Sequence, residues 1–288
     1  MSDIKLFTND VKPTWCAGCG DFGILASLQR ALAQLDLEPH EILLVSGIGC
    51  GSKLPYYMRA NGFDSLHGRA LPVATGAKLA NHELKVIAIS GDGDGYGIGG
   101  NHFIHTMRRN PDITHIVENN QVYGLTKGQY SPTSAKGTIA GTTPEGSIEL
   151  QINPIALAIA GGASFVARGF ANDPKHLTDL IMKAIRHKGY ALVDVLQPCV
   201  TYNKINTGAW YKERVYKIDE QPGYDPSNYD MAWEHCREWE ERIPIGVIYQ
   251  EERATYEEEV SELATGSLMR RGAHQDRELL ESIKQEFI

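Results

Sequence analysis

The chain has 288 residues, 42% of them hydrophobic, and a formal net charge of −8. That length can hold one large domain, or one domain with a sizeable extension, and the acidic balance argues against nucleic acid as a partner. No apolar run reaches the ~18 residues of a membrane span, and the N-terminal MSDIKLFTND lacks the apolar stretch of a signal peptide, so a cytoplasmic protein off the membrane is expected.

Apolar runs alternate with amphipathic stretches as far as about residue 200. In chain order the pattern predicts a helix near 22–35, a strand at 42–46, a helix at 71–81, and a strand at 86–90. A helix at 100–109, a strand at 113–118, a helix at 154–160, a strand at 164–167, a helix at 174–187 and a strand at 191–196 follow. Such alternation predicts an α/β fold with a parallel sheet flanked by helices. The strands are short and β-branched, as expected for burial on both faces. Beyond residue 200 come tyrosines, lysines and turn signals, then charged helical stretches such as 251–262. These predict an irregular, partly helical C-terminal extension over 201–288, set apart from a domain over 1–200.

The most informative segment is KVIAISGDGDGYGIGGNHF. A buried strand runs into Gly91-Asp92-Gly93-Asp94-Gly95, and the next strand ends in Asn119-Asn120. Ligands in open α/β sheets bind outside the carboxyl ends of the strands, where both motifs fall. Asp92 offers a carboxylate and Asn120 an amide oxygen, ligands that suit magnesium completed by phosphate and water. Glycines beside Asp92 permit close approach of a diphosphate, and the loop feeds a helix N-terminus. The run from Gly95 to Gly100 also matches GxGxxG, so a dinucleotide site is an alternative. Its first glycine lies several residues past the strand, however, and two aspartates would repel a bare pyrophosphate unless a cation bridged them.

Five cysteines without a secretory signal speak against a disulfide framework. Cys16 and Cys19 form a CxxC near the N-terminus, Cys50 follows the first strand and Cys199 follows the last strand before the extension. Four thiolates suit either a 4Fe–4S cluster or zinc, and spacing alone does not choose between them. A thioredoxin-like redox pair at Cys16 and Cys19 is a further alternative. Cys236 lies in a Trp/Glu-rich helical stretch and reads as structural.

The sequence resembles thiamine-diphosphate enzymes, whose motif is GDG followed ~25–30 residues later by NN; here 25 residues separate Gly93 from Asn119. More closely, it resembles the β subunits of 2-oxoacid:ferredoxin oxidoreductases. WCAGCG at 15–20, GIGC at 47–50, HGR at 67–69, NNQVYGLTKGQYSPTS at 119–134 and the late PC at 198–199 carry that resemblance. It implies a thiamine-diphosphate-binding fold with Mg²⁺ held by Asp92, Asn120 and the Val122 carbonyl. It implies one 4Fe–4S cluster on Cys16, Cys19, Cys50 and Cys199. Contacts to the cofactor fall on Ile48, Gly49, Cys50, Gly51, His67, Gly68, Arg69, Gly91, Gly93, Asp94, Gly124 and Leu125. Lys53 and Lys127 are candidates for anion contacts with substrate. Thr126 to Gln129 looks like members that accept 2-oxoglutarate or a broad set of 2-oxoacids, with pyruvate competing. His102 and His105 lack the partner of an HExxH site and read as packing or surface residues.

A thiamine enzyme also needs a glutamate on the aminopyrimidine, from a separate domain, and 288 residues do not comfortably hold two such domains and this tail. The active site is therefore expected at an interface with an α, or fused γα, subunit, with coenzyme A, ferredoxin and a 2-oxoacid as the other partners. The rival functions are a non-redox thiamine-dependent decarboxylase and a zinc-stabilised binding subunit.

Overall fold

Short β-branched runs build the centre of the molecule. A computed structural model describes residues 3–264, 266–271 and 277–287. Among these, the strands are β1 (Ile42–Ser46), β2 (Asn61–Asp64), β3 (Lys85–Gly91), β4 (Ile113–Asn119), β5 (Val122–Tyr123), β6 (Gln129–Tyr130), β7 (Phe165–Phe170), β8 (Tyr190–Leu196), β9 (Val215–Lys217) and β10 (Ile243–Gln250). β5 and β6 form a separate hairpin; the other eight make one sheet in the order β2-β1-β3-β4-β8-β7-β10-β9. Every neighbouring pair in that sheet is parallel except β7–β10.

The central strands are buried on both faces, which is why they read as continuous apolar runs. Alternate residues face opposite layers. Ile87, Ile89, Ala191, Val193 and Val195 face a core shared with α1 (Asp21–Gln34) and α5 (Pro174–Arg186). Val86, Ala88, Tyr190 and Leu192 face the opposite core, with α2 (Ala70–Ala80), α3 (Gly100–Arg109) and α4 (Pro154–Ala160). Helix ends follow their chemistry. Asn153 accepts from the Ala156 N–H ahead of Pro154, and Asp173 accepts from the His176 N–H ahead of Pro174. Asn110 stops α3 in the left-handed conformation, φ 56°.

Beyond residue 200 the chain is irregular, with short helices α6 (Gly208–Lys212), α7 (Tyr229–His235) and α8 (Tyr256–Glu259). The charged stretch 251–262 holds little more than the single turn of α8. The extension also contributes β9 and β10 to the sheet, two strands that sequence periodicity does not reveal. Among the described residues no helix is long and apolar enough to cross a membrane.

Candidate active site

Four adjacent parallel strands, β1, β3, β4 and β8, deliver four loops to one edge of the sheet. They are the loops of Cys50, of Asp92 and Asp94, of Asn120 and Val122, and of Cys199. This is the carboxyl end of the strands, where open α/β sheets bind ligands.

After β3 the chain turns in one wide helical turn over Gly93–Ile98 and runs on into α3. A side chain at Gly93 would put its Cβ 2.1 Å from the Tyr123 ring, and the Tyr123 hydroxyl donates to the Gly93 carbonyl at 3.0 Å. That glycine therefore makes room for the Tyr123 ring. Asp92 is buried, and Oδ2 accepts from the hydroxyls of Ser131 and Thr133, each at 2.5 Å. Burial pushes its carboxyl up to about 6 despite those two donors, and the charge of Asp194 adds to the rise. Among the described residues no cationic side chain pairs with it. A divalent cation would supply that charge, so this donor set fits Mg²⁺. Beside it, Asn120 Oδ1 accepts from the Val122 N–H at 3.1 Å, and Asn203 donates to the Asn120 carbonyl at 3.0 Å.

Asp94 turns the other way. Its Oδ1 takes His67 Nδ1 at 2.6 Å, the Gly68 N–H at 2.7 Å and the Ile48 N–H at 3.0 Å. One carboxylate oxygen thus ties the loop after β1 to the HGR loop before α2. Gly68 is required twice over: its φ is +71°, and a Cβ would lie 2.5 Å from Ile98. The sequence resemblance implies a cofactor contact for Asp94; its Oδ1 clasps the two loops that carry Ile48 and His67, and its buried Oδ2 has no hydrogen-bond partner among the described residues. A cavity of about 740 Å³ opens beside them, lined by His67, Tyr123, Thr126, Tyr130, Ser131 and Glu149. That is ample for a diphosphate cofactor.

Cys16, Cys19, Cys50 and Cys199 lie on the same edge. The Cys19 N–H donates to the Cys16 carbonyl at 3.0 Å, closing the CxxC turn. The Trp15 indole donates to the Cys50 carbonyl at 2.7 Å. The Gly20 N–H reaches the Pro198 carbonyl, beside Cys199, at 3.4 Å. A Cβ on Gly124 would lie 3.5 Å from Cys50 Sγ and 3.9 Å from Cys199 Sγ. Gly124 is therefore the floor under both thiols. Burial pushes the Cys50 thiol up to about 11, with Asp21 adding and Lys53 opposing. Burial also raises Cys19, whose Sγ accepts from Gln197 at 3.1 Å. Among the described residues no group of three or more His, Cys, Asp or Glu side chains is drawn together as a metal site. Four thiolates on one edge are a donor set that suits a 4Fe–4S cluster, and equally a tetrahedral zinc. Cys236 lies buried in the opposite core.

Sequence reasoning missed two carboxyls behind the cysteines. Asp21 and Glu118 are buried, and among the described residues their four oxygens accept no N–H or hydroxyl; they have each other, and Asp21 has the Cys19 thiol, as neighbours. Burial raises both above the usual carboxyl range, and each bears on the other's proton. It also gave no role to Ser131 and Thr133, although both lie in the matched run 119–134. Lys53 is half-buried and its Nζ reaches Thr14 Oγ1 at 3.3 Å. Lys127 is exposed at the tip of the β5–β6 hairpin, in the left-handed region with φ 77°. Leu125 is also exposed, and Arg69 donates to the carbonyls of His67 and Gly68 at 3.4 Å. Gly49, Gly51 and Gly91 lie in the loops after β1 and at the end of β3. His102 and His105 are half-buried on α3.

Residues 47–195 match the family model of the thiamine pyrophosphate enzyme C-terminal TPP-binding domain. Residues 199–265 match the model for the C-terminal part of the pyruvate ferredoxin oxidoreductase beta subunit. A 2-oxoacid:ferredoxin oxidoreductase subunit beta from Saccharolobus solfataricus is 50% identical over 286 residues, covering 95% of this chain and 92% of that protein. The chain belongs to the β subunits of the 2-oxoacid:ferredoxin oxidoreductases. A 2-oxoglutarate oxidoreductase subunit KorB from Mycobacterium tuberculosis is 46% identical, covering 81% of this chain and 62% of that protein. Among solved structures, the 2-oxoglutarate:ferredoxin oxidoreductase of Magnetococcus marinus, with 2-oxoglutarate, coenzyme A and succinyl-CoA bound, superposes with a TM-score of 0.90 at 38% identity. That match covers 98% of this chain and 96% of the other.

Proposed function

We propose that this β subunit binds thiamine diphosphate, Mg²⁺ and one 4Fe–4S cluster, and joins an α or fused γα subunit to convert 2-oxoglutarate and coenzyme A to succinyl-CoA, reducing ferredoxin in the cytoplasm. The single observation that carries this reading is the loop Gly47–Gly51. At one end the Ile48 N–H is held by Asp94, beside the cofactor cavity; two residues on, Cys50 faces Cys199 across Gly124. A cofactor-binding loop and a cluster ligand are thus one rigid piece.

When bound, thiamine diphosphate supplies the electron sink for decarboxylation and the cluster accepts electrons from it. The chain's own residues do the rest. Asp92, Asn120 and the Val122 carbonyl hold the cation and through it the diphosphate. Ile48, Gly49, Cys50, Gly51, His67, Gly68, Arg69, Gly91, Gly93, Asp94, Gly124 and Leu125 contact the cofactor, and Asp94 also holds the loops of Ile48 and His67 together. Cys16, Cys19, Cys50 and Cys199 hold the cluster. Lys53 and Lys127 attract the carboxylates of a dicarboxylic 2-oxoacid. Ile48, Leu66, Ile98 and Leu125 are exposed apolar side chains, and Ile48, Ile98 and Leu125 sit on or beside the site loops, as suits a surface closed by a second subunit. Residues 1–200 form the cofactor domain and 201–288 an extension braced on it by β10. Relatives named for 2-oxoacids in general favour a second reading, a broad-range enzyme that also takes pyruvate.

Anaerobic purification with the co-expressed partner, followed by iron and sulfide analysis and ferredoxin-reduction assays, tests this. About four irons per chain beyond the partner's, with faster reduction on 2-oxoglutarate than on pyruvate, is the expected outcome. Zinc instead of iron with no 2-oxoacid-dependent reduction would overturn it.

A further inference from the structure

Behind the Asp92 loop lies a second, smaller cavity of about 100 Å³, between the carboxyl end of β4 and the extension. Its volume is that of roughly three waters, too small for a diphosphate cofactor or coenzyme A. Asn119, Thr133, Gln151, Arg168, Arg237 and Trp239 line it.

Arg168 is the informative residue. It stands on β7 directly across from Asp194 on β8, with its side chain 2% exposed. Its Nε donates to Asp194 Oδ2 at 3.3 Å, and its guanidinium lies 5.3 Å from the centre of the Trp239 ring. The other Asp194 oxygen already takes the Tyr96 hydroxyl and the Asn119 amide, each at 3.0 Å. Among the described residues Arg168 Nη1 is left buried with no acceptor, and Gln151 Oε1 is left buried with no donor. A buried guanidinium N–H without an acceptor bears its full desolvation cost. Arg237, exposed on its outer side, brings a second guanidinium to the cavity.

The charges do not balance. Two arginines border the space, and Asp194, which pairs with Arg168, offsets one. Asp92 lies beyond the Thr133 hydroxyl, which donates to it. Water would supply acceptors without charge; an anion supplies both. The unpaired Gln151 oxygen adds a further condition, since it asks for a ligand that also carries an O–H.

We propose that this cavity binds a small planar oxyanion of single negative charge that bears one proton, of which bicarbonate is the fitting example. Its bare oxygens accept from Arg168 Nη1 and Arg237, and its hydroxyl donates to Gln151 Oε1. Nothing in this argument depends on thiamine, iron or the identity of the 2-oxoacid.

The test uses the full chain with its co-purified partner, in gluconate buffer at constant ionic strength. Sodium bicarbonate should raise the melting temperature saturably, by roughly 2–4 °C, and sodium nitrate, which lacks the hydroxyl, should do so less. Arg237→Gln, at an exposed position, should keep its melting temperature in gluconate and lose the bicarbonate response. Gln151→Glu, which sets a carboxylate against the anion, should lose it too. A response that rises linearly without saturation, or one that persists unchanged in both variants, would show a cavity filled by water alone and overturn the proposal.

Discussion

The Asp94 carboxylate meets the His67 imidazole at 2.6 Å, and the same oxygen takes two backbone N–H groups from loops twenty residues apart. Hydrogen bonds to a charged group contribute about 1.5–3 kcal/mol each. Asp94→Ala should therefore lower stability by about 2–4 kcal/mol and let the loops of Ile48 and His67 part. The functional mark is a rise of about tenfold or more in the thiamine diphosphate concentration needed for half-maximal activity, with a smaller rise for Asp94→Asn, which keeps one acceptor. Cofactor titration of the purified variants measures it, and an unchanged requirement would show that Asp94 does not shape the cofactor cavity.

The cysteines separate into two roles that can be checked independently. Cys50→Ser removes a thiolate facing Cys199 across Gly124 and should abolish full cluster assembly, seen as fewer than four irons per chain with loss of ferredoxin reduction. Cys236, 1% exposed in the core between α4 and α7, should behave otherwise. Cys236→Ser keeps a donor for the Trp233 carbonyl that Sγ now reaches at 3.2 Å. It should leave iron content unchanged and cost about 1 kcal/mol for burying a hydroxyl. Iron loss in Cys236→Ser would place that residue in the wrong group.

The central architecture was legible because burial on both faces turns β3, β4 and β8 into unbroken apolar runs, and because Pro154, Pro174 and Asn110 mark helix ends. β2 was not legible, since its sequence Asn-Gly-Phe-Asp is exposed throughout at the sheet edge. β10 hid behind Pro244 and Gly246, which interrupt its apolar run. Pro244 is tolerated near the start of the strand, and Gly246 has φ +132° where a Cβ would meet Ile218. The site loops were legible as motifs, but not their partners. Ser131 and Thr133 lie 39 and 41 residues from Asp92, and Arg168 gave no signal at all. Side chains brought together by strand crossovers leave no local pattern.

Lys127 sits at φ 77°, a conformation that glycine adopts without strain and lysine does not. Holding a lysine there costs about 1 kcal/mol. Lys127→Gly should relieve that strain while loosening the unfolded chain by a similar amount, so stability should shift by less than about 1 kcal/mol. Activity should change more. The KM for 2-oxoglutarate should rise several-fold while that for pyruvate, which has no second carboxylate, stays nearly constant. Equal changes for both substrates would remove Lys127 from the specificity argument.

His115 provides a pH prediction remote from the cofactors. It is fully buried on β4, with Nε2 2.8 Å from the Ser90 hydroxyl and Nδ1 2.7 Å from the Tyr190 hydroxyl. Burial lowers its pKa from 6.5 to about 3. The folded chain thus holds a neutral imidazole where the unfolded chain would bind a proton. The stability this confers is complete above pH 6.5 and is lost as pH falls towards 3, by roughly 1.4 kcal/mol per unit once the unfolded histidine is protonated. Denaturant unfolding at about pH 7.5, 6.0 and 5.0 should show this slope in the wild type. His115→Gln, which can still bond both hydroxyls but takes up no proton, should be less stable at about pH 7.5 yet lose stability more slowly on acidification. Parallel pH profiles for the two proteins would mean that other groups drive the acid sensitivity.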